Sequence, residues 1–116
     1  MQPLGVHHVS INVGDVATAV EFYTQVLGLT LRDDRPDFRF AGAWLDLGDQ
    51  QVHLIEGTAP DNLGQHFAIH VGDIDAAVTE LKGKGIEVRG PVYVGAGRQA
   101  FFSDPAGNLV ELNEPG

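Results

Sequence analysis

A repeated segment constrains this chain more than any other feature. Residues 8–20, HVSINVGDVATAV, return as residues 66–78, HFAIHVGDIDAAV, with seven of the thirteen positions identical. The offset of 58 residues is half of the 116-residue chain, and a second pair of segments, 52–54 and 110–112, keeps the same offset. Such a repeat predicts two copies of one supersecondary unit, each too small to bury its apolar face alone.

The composition narrows the classes of partner. The chain carries 16 acidic and 7 basic residues, for a net charge of -9, and no cysteine. Nucleic acids and anionic membranes require a basic surface, so neither is an expected partner, and disulfides and thiolate ligands are excluded. The N-terminus lacks a signal-peptide pattern and no apolar run is long enough to span a membrane. We therefore predict a soluble, cytoplasmic protein that acts on a small molecule.

Each copy of the repeat predicts the same order of elements. Alternation of β-branched and polar residues predicts a first strand at residues 7–13, and Asp15 is placed to cap a helix that ends at Gly28. The second copy repeats this with a cap at Asp73 and a helix end at Gly85. Further strands are predicted at residues 29–32, 38–47, 51–56, 66–71, 86–89, 98–103 and 109–113, with a glycine loop at 95–97 and a turn at 104–107.

These elements predict an α+β fold built from two βαβββ modules. Residues 1–116 form one domain, with module one at 5–56, a linker at 57–65 and module two at 66–114. The modules are expected to pair into an eight-stranded, open barrel-like sheet with the helices on its outer face. Strand parity then places the apolar residues under the helices and the polar residues on a concave inner face.

Four potential metal ligands lie on this predicted inner face. His8 and His66 are repeat mates, as are His53 and Glu111. If the modules pair about a pseudo-twofold axis, the four side chains converge on one ion. Imidazole and carboxylate together suit Zn, Ni, Fe, Mn or Co. Four protein ligands leave about two positions of an octahedral shell open, which is typical of a catalytic site.

Other residues of the inner face and of the glycine loop are candidates for a substrate pocket. Trp44 and Phe102 are also 58 residues apart and share the inward parity, so they wall the cavity or belong to the core. Tyr93 and Arg98 flank the glycine loop, and His70 lies two residues beyond the inward position of His66. The predicted pocket comprises Ser10, Asn12, Trp44, His70, Tyr93, Arg98 and Phe102.

Several motifs resemble those of a known superfamily. They are HxxIxVxD at 8–15, FYxxVLGL at 22–29, HL at 53–54, HxAIxVxD at 66–73 and FxDPxGNxxEL at 102–112. Together they resemble the vicinal oxygen chelate superfamily, which includes glyoxalase I, extradiol dioxygenases, methylmalonyl-CoA epimerase and the fosfomycin and bleomycin resistance proteins. The resemblance covers essentially the whole chain and implies the glyoxalase/bleomycin resistance/dihydroxybiphenyl dioxygenase fold.

The resemblance also implies roles for individual residues. The ligand positions of the family fall on His8, His66 and Glu111, and the fourth, often Glu or Gln in glyoxalases and epimerases, falls on His53. His8, His66 and Glu111 alone match the two-histidine, one-carboxylate set of the extradiol dioxygenases. The implied chemistry is chelation of two neighbouring substrate oxygens by a divalent metal, with Glu111 as ligand and base.

Three functions remain open at this stage. One is a metal-dependent lyase, isomerase or dioxygenase of glyoxalase or dioxygenase type. The second is a metal-free protein that binds a drug or metabolite, as the bleomycin resistance proteins do. The third is a catalytically silent scaffold domain. Chains this short in the resembling family usually form homodimers, so a homodimer is expected, with the modules pairing within or between chains.

Overall fold

A computed structural model describes all 116 residues, which divide into two compact units, Met1–Pro60 and Asp61–Gly116. Each unit contains one four-stranded mixed sheet and one helix that packs against that sheet. The predicted α+β class and the two βαβββ modules are confirmed, with the eight strands hydrogen-bonded as two separate sheets of four. Neither sheet is closed into a barrel. Neither helix has the length and apolarity needed to cross a membrane.

The first unit has its strands in the order β1-β4-β3-β2, with β1 parallel to β4. The carboxylate of Asp15 accepts a hydrogen bond from the Thr18 amide and caps helix α1, as predicted. The helix continues into a π-helical turn, and Gly28 ends it in the left-handed region at φ 79°. The elements are β1 (His8–Val13), α1 (Val16–Glu21), the π-helical turn (Phe22–Val26), β2 (Thr30–Leu31), β3 (Gly42–Leu47) and β4 (Gln50–Glu56).

The second unit repeats this arrangement in the order β5-β8-β7-β6, with β5 parallel to β8. Asp73 caps helix α2 by accepting from the Ala76 amide. The carboxylate of Glu114 accepts from the Ile74 amide at the same helix end, which fastens the helix to the last strand. The elements are β5 (Phe67–His70), α2 (Ile74–Gly83), β6 (Arg89–Val94), β7 (Gly97–Ser103) and β8 (Leu109–Glu114).

Two predicted strands differ from the structure. The third strand was expected from residue 38, but β3 begins at Gly42. The guanidinium of Arg35 lies over the rings of Phe38 and Phe40 and donates to the Phe40 carbonyl. These contacts hold residues 35–40 as a loop, although their alternation resembles a strand.

The strand predicted at residues 86–89 was also misplaced, because β6 runs from Arg89 to Val94. The observed strand contains Pro91. The strand tolerates proline because it lies at the sheet edge, and the register shifts between Arg89 and Val92. The predicted glycine loop is the tight turn of the β6–β7 hairpin, where Gly95 has φ 60°.

The core of each unit lies between the sheet and its helix. Val13, Tyr23, Leu45 and Val52 are each fully buried in the first unit. The second unit buries Ile74, Ala100 and Val110 to the same degree. The apolar parity of β1, β4 and β8 therefore faces the helices as predicted. The opposite face of each sheet is left to carry the polar side chains.

Candidate functional site

His66 and Glu111 form the most defined polar pair of the second unit. His66 immediately precedes β5, and Glu111 lies on the neighbouring strand β8 opposite Ala68. The His66 Nε2 and Glu111 Oε1 atoms are 3.0 Å apart, and Glu111 is only 7% exposed. The side chain of Asn113 donates to Glu111 Oε2 at 2.9 Å. A buried carboxylate is thus fixed through both oxygens, on the sheet face away from the helix.

The protonation state of His66 follows from its two contacts. Its Nδ1 is 2.8 Å from the carbonyl oxygen of Gly64, which only accepts, so Nδ1 carries a proton. A neutral imidazole would then turn the Nε2 lone pair toward the lone pairs of Glu111 Oε1. That arrangement is repulsive, so the metal-free pair shares a proton between Nε2 and Oε1. A metal ion with bonds of about 2.1 Å to both atoms would displace this proton and lie to one side of the line between them, because ligand atoms 3.0 Å apart meet an ion at nearly a right angle.

The same contacts predict how this pair responds to pH. The pKa of His66 is raised above its ordinary value of 6.5, first by donation to the Gly64 carbonyl and further by Glu111, while burial opposes the rise. In the metal-free protein, the charged His66 ring stabilises the folded state. This contribution is fully present below pH 6.5 and is lost as the pH rises through the raised pKa of His66. NMR titration of the imidazole carbon-bound protons, with a chelator present, checks this.

Glu111→Gln supplies the control for the titration. The pKa of His66 should fall in this variant but stay raised by the Gly64 carbonyl, which the substitution leaves in place. A His66 pKa below the ordinary value in the wild type, or one that Glu111→Gln leaves unchanged, contradicts the assignment.

His8 and His53 form the corresponding pair in the first unit. Their rings stack with centroids 3.9 Å apart and an interplanar angle of 15°. His53 Nε2 lies 2.8 Å from Gln51 Oε1, and His8 Nδ1 lies 2.9 Å from His7 Nδ1. Burial lowers the pKa of His53, and the charge of His8 adds to the effect. His53 is therefore held neutral, which is the form that binds metal ions.

A small cavity lies beside this histidine pair. Trp44 pairs with His53 in the β3–β4 register, and the two rings stack with centroids 4.5 Å apart. The cavity has a volume of about 130 Å³, and its walls include Ser10, Trp44, His53, Arg35 and Phe38. The predicted pocket residues Ser10 and Trp44 thus line one cavity next to a predicted ligand.

Phe102 occupies a different place from its predicted one. It pairs with Val110, is 3% exposed and lies on the helix-covered face. Phe101 pairs with Glu111, and its ring lies edge-on to His66 with centroids 5.3 Å apart. The inward parity assigned to Phe102 was therefore wrong, and Phe101 is the counterpart of Trp44 that the sequence comparison missed.

The cause is a difference between two hairpins. Leu47 pairs with Gln50 across a two-residue turn, whereas Ser103 pairs with Leu109 across a longer loop. The offset of 58 residues that relates the last strands of the two units therefore does not relate the strands before them. Counting the register back from Glu111 through the loop at 104–108 would have revealed the shift.

The remaining predicted pocket residues are divided between the two faces. The side chain of Asn12 donates to the carbonyl of Thr58, near the end of the first unit. His70 is exposed and pairs with Asn113 in the β5–β8 register. Arg98 lies on the helix-covered face, where it forms ion pairs with Asp75 and Glu114. Tyr93, which pairs with Arg98 between β6 and β7, is 76% exposed. This placement of Arg98, bound by two carboxylates, and of the exposed Tyr93 differs from the prediction that both line a substrate pocket.

The two pairs differ in how well they fit a metal ion. His66 Nε2 and Glu111 Oε1 already lie 3.0 Å apart, close enough to bind one ion side by side once the shared proton is lost. The nitrogen lone pairs of His8 and His53 lie in nearly parallel ring planes and converge only after one ring rotates. No group of three or more His, Asp or Glu side chains is assembled as a metal site in this structure. The four-ligand set stays a prediction, with the His66–Glu111 pair as its best-formed part.

The class of protein is defined by two βαβββ modules. Each module carries a histidine-containing pair on the face of its sheet that points away from the helix. The chain belongs to the Glyoxalase/Bleomycin resistance protein/Dioxygenase superfamily, whose family model matches residues 5–112. This confirms the resemblance seen in the motifs. The superfamily hosts several chemistries on one fold, so the reaction depends on the site.

Individual relatives give a finer comparison. A protein from Vibrio cholerae named "Probable lactoylglutathione lyase" is 37% identical, covering 90% of this chain and 86% of its own length. Lactoylglutathione lyase GLX1 from Arabidopsis thaliana is 32% identical over 94% of this chain, which spans only 44% of the plant protein. Among solved structures, an antibiotic binding protein from a Streptomyces species superposes with a TM-score of 0.82 at 28% identity, over 100% of this chain and 99% of its own.

Proposed function

We propose that this protein is a divalent-metal-dependent enzyme of the glyoxalase type, a lyase or isomerase that moves a proton between neighbouring carbons of a small oxygen-rich substrate. The observation that supports the proposal is the His66–Glu111 pair, in which an imidazole nitrogen and a buried carboxylate oxygen already lie 3.0 Å apart, the separation of two neighbouring ligand atoms of one metal ion. The similarity to lactoylglutathione lyases favours proton transfer over oxygen chemistry.

The proposed ligands are His66 and Glu111, together with His8 and His53. His66 donates its Nδ1 proton to the Gly64 carbonyl, which fixes the ring and leaves Nε2 for a metal ion. His53 is kept neutral by burial, which suits it to the same role. A bound divalent cation supplies Lewis acidity, which stabilises negative charge on two neighbouring substrate oxygens.

Glu111 is the proposed base. Its burial disfavours free solvation of the carboxylate, and Asn113 orients one of its oxygens. It accepts a proton from the carbon next to a substrate carbonyl and returns it to the adjacent carbon. His53 is the symmetric position in the first unit and carries an imidazole instead of a carboxylate, so the proton transfer is assigned to the second unit.

Metal content and turnover test this function directly. Protein purified without chelator or affinity tag should contain metal, and chelated protein should melt at a higher temperature when Zn²⁺, Ni²⁺, Mn²⁺ or Fe²⁺ is added. A ligand at about 100 times its dissociation constant stabilises the folded state by about 2.7 kcal/mol. The loaded protein should convert the methylglyoxal–glutathione adduct without consuming oxygen.

Two results would reject the proposal. One is an unchanged melting temperature with all four metals. The other is oxygen uptake with a catechol in place of turnover of the adduct, which would indicate a dioxygenase.

A further inference from the structure

The cavity of the first unit has an arginine on its wall that no carboxylate neutralises. In this acidic chain, Arg32 is paired with Asp34 and Asp46, and Arg98 with Asp75 and Glu114. Arg35 forms no ion pair. Its guanidinium lies 4.8 Å from the ring centroid of Phe38 and donates one hydrogen bond to the Phe40 carbonyl. Its remaining N–H groups are available to an anion.

The backbone makes room for this guanidinium. A Cβ atom at Gly42 would meet the Leu54 carbonyl oxygen of β4 first, and it would also lie 2.8 Å from Arg35 Nη2. Pairing of β3 with β4 therefore requires glycine here, and the guanidinium occupies part of the space that this leaves. The arginine is held by its aromatic neighbours and by its hydrogen bond to the Phe40 carbonyl, so part of its conformational entropy is already lost before it binds an anion.

Aromatic rings continue from the arginine to the histidine pair. Phe38 and Phe40 stack with centroids 5.3 Å apart, and Phe38 lies 6.2 Å from Trp44. Trp44 in turn stacks on His53. Phe38 and Phe40 are 41% and 47% exposed, which is unusual for neighbouring large apolar side chains and marks a surface that a ligand can cover.

The size of the cavity limits what it holds. Its volume is about 130 Å³. Pockets for drug-sized ligands measure roughly 300–1,000 Å³, whereas a cavity of about 150 Å³ takes one benzene ring. One ring-sized group therefore matches the enclosed part of this cavity. Flat aromatic walls favour a planar ring over a puckered one, because only planar rings stack over their whole area.

We infer that this cavity binds a single planar ring that carries a carboxylate, with the ring beside Trp44 and Phe38 and the carboxylate on the free N–H groups of Arg35. A fork of guanidinium N–H groups matches a carboxylate in two parallel hydrogen bonds. This binding does not rest on the proposed function, since no residue of the second unit contributes to the cavity.

Benzoate is the probe for this site, and Trp44 is the reporter. Trp44 is the single tryptophan of the chain, so its fluorescence reports this cavity alone. In the full-length protein with a chelator present, benzoate should change the fluorescence in a saturable manner. Cyclohexanecarboxylate has the charge without the planar ring, and benzyl alcohol has the ring without the charge. Benzyl alcohol should bind at least about tenfold more weakly, the loss expected for a missing charged hydrogen bond, and cyclohexanecarboxylate about two- to tenfold more weakly, the loss expected for a missing stacking contact.

Substitutions of Arg35 test whether this residue binds the carboxylate of benzoate. Arg35→Gln should weaken benzoate binding at least about tenfold, and Arg35→Lys should weaken it less because the charge remains. Arg39→Gln is the matched control, since Arg39 lies in the same loop but does not line the cavity, and it should bind benzoate as the wild type does. Circular dichroism of each variant checks that it is folded.

The inference is overturned by an absence of saturable change with benzoate, by equal affinity for cyclohexanecarboxylate, or by equal affinities of Arg35→Gln and Arg39→Gln. Because the titration is made without metal, a failure of the proposed metal function leaves its outcome unaffected. Conversely, metal-dependent turnover together with an absence of benzoate binding would reject this ligand site alone.

Discussion

Glu111→Gln is expected to weaken divalent-metal binding by at least about 100-fold and to abolish turnover. Loss of an outer partner of a metal ligand alone typically costs about 10–100-fold in affinity, and here a charged ligand itself is lost. The substitution keeps the shape of the side chain and its place between His66 and Asn113, so the effect isolates the negative charge. Equilibrium dialysis with Zn²⁺ or Ni²⁺ measures the affinity, and the adduct assay measures the turnover.

Glu114→Gln provides the matched control. Glu114 lies on the same strand but contacts Arg98 and the Ile74 amide at the helix-covered face. Its replacement should lower the stability of the second unit and leave metal affinity within about threefold of the wild type. Equal losses of metal affinity in the two variants would show that Glu111 acts through folding and would remove it from the proposed site.

Asp104→Ala is expected to lower the free energy of unfolding of the second unit by about 3 kcal/mol. Asp104 is 5% exposed, and its carboxylate accepts from the amides of Ala106 and Asn108 and from the Asn108 side chain. Removing it takes one acceptor from each of these three part-buried donors. The hairpin that it closes sets the register between β7 and β8, and thus the pairing of Phe101 with Glu111.

Urea denaturation followed by circular dichroism measures this loss. Asp49→Ala is the control, because Asp49 occupies the β3–β4 turn of the first unit and its carboxylate is exposed. It should change the free energy of unfolding by less than about 0.5 kcal/mol. A similar small change in Asp104→Ala would mean that the loop is held by its backbone alone.

The strands and helices that carry the repeat were predictable because their signals are local. The caps at Asp15 and Asp73 and the parity of β1, β4 and β8 follow from hydrogen-bonding capacity and from the two-residue period of a strand. Edge and loop segments were not predictable in the same way. Pro91 lies within β6 because that strand is at an edge, and an edge is a property of the assembled sheet.

The ligand pairs show the same division between local and tertiary information. The repeat makes His8 the mate of His66 and His53 the mate of Glu111, and strand parity predicts that they lie on the sheet faces away from the helices. The contacts link them differently, since His8 stacks on His53 and His66 meets Glu111. Repeat mates are equivalent positions in two units, whereas contacts form between neighbouring strands of one unit.

The sequence by itself determined the number of modules, their order of elements, the family and the faces on which the candidate ligands lie. Only the tertiary structure decided three side-chain contacts. Phe101, and not Phe102, lies beside His66, and Arg98 forms an ion pair with Asp75 of helix α2. Arg35 lies against the ring of Phe38 and forms no ion pair with a carboxylate. The periodicity of the sequence predicts the face of a strand on which a side chain lies. The residues that the side chain contacts on that face depend on strand register, sheet edges and neighbouring loops. These features depend on hydrogen bonds between segments far apart in the chain.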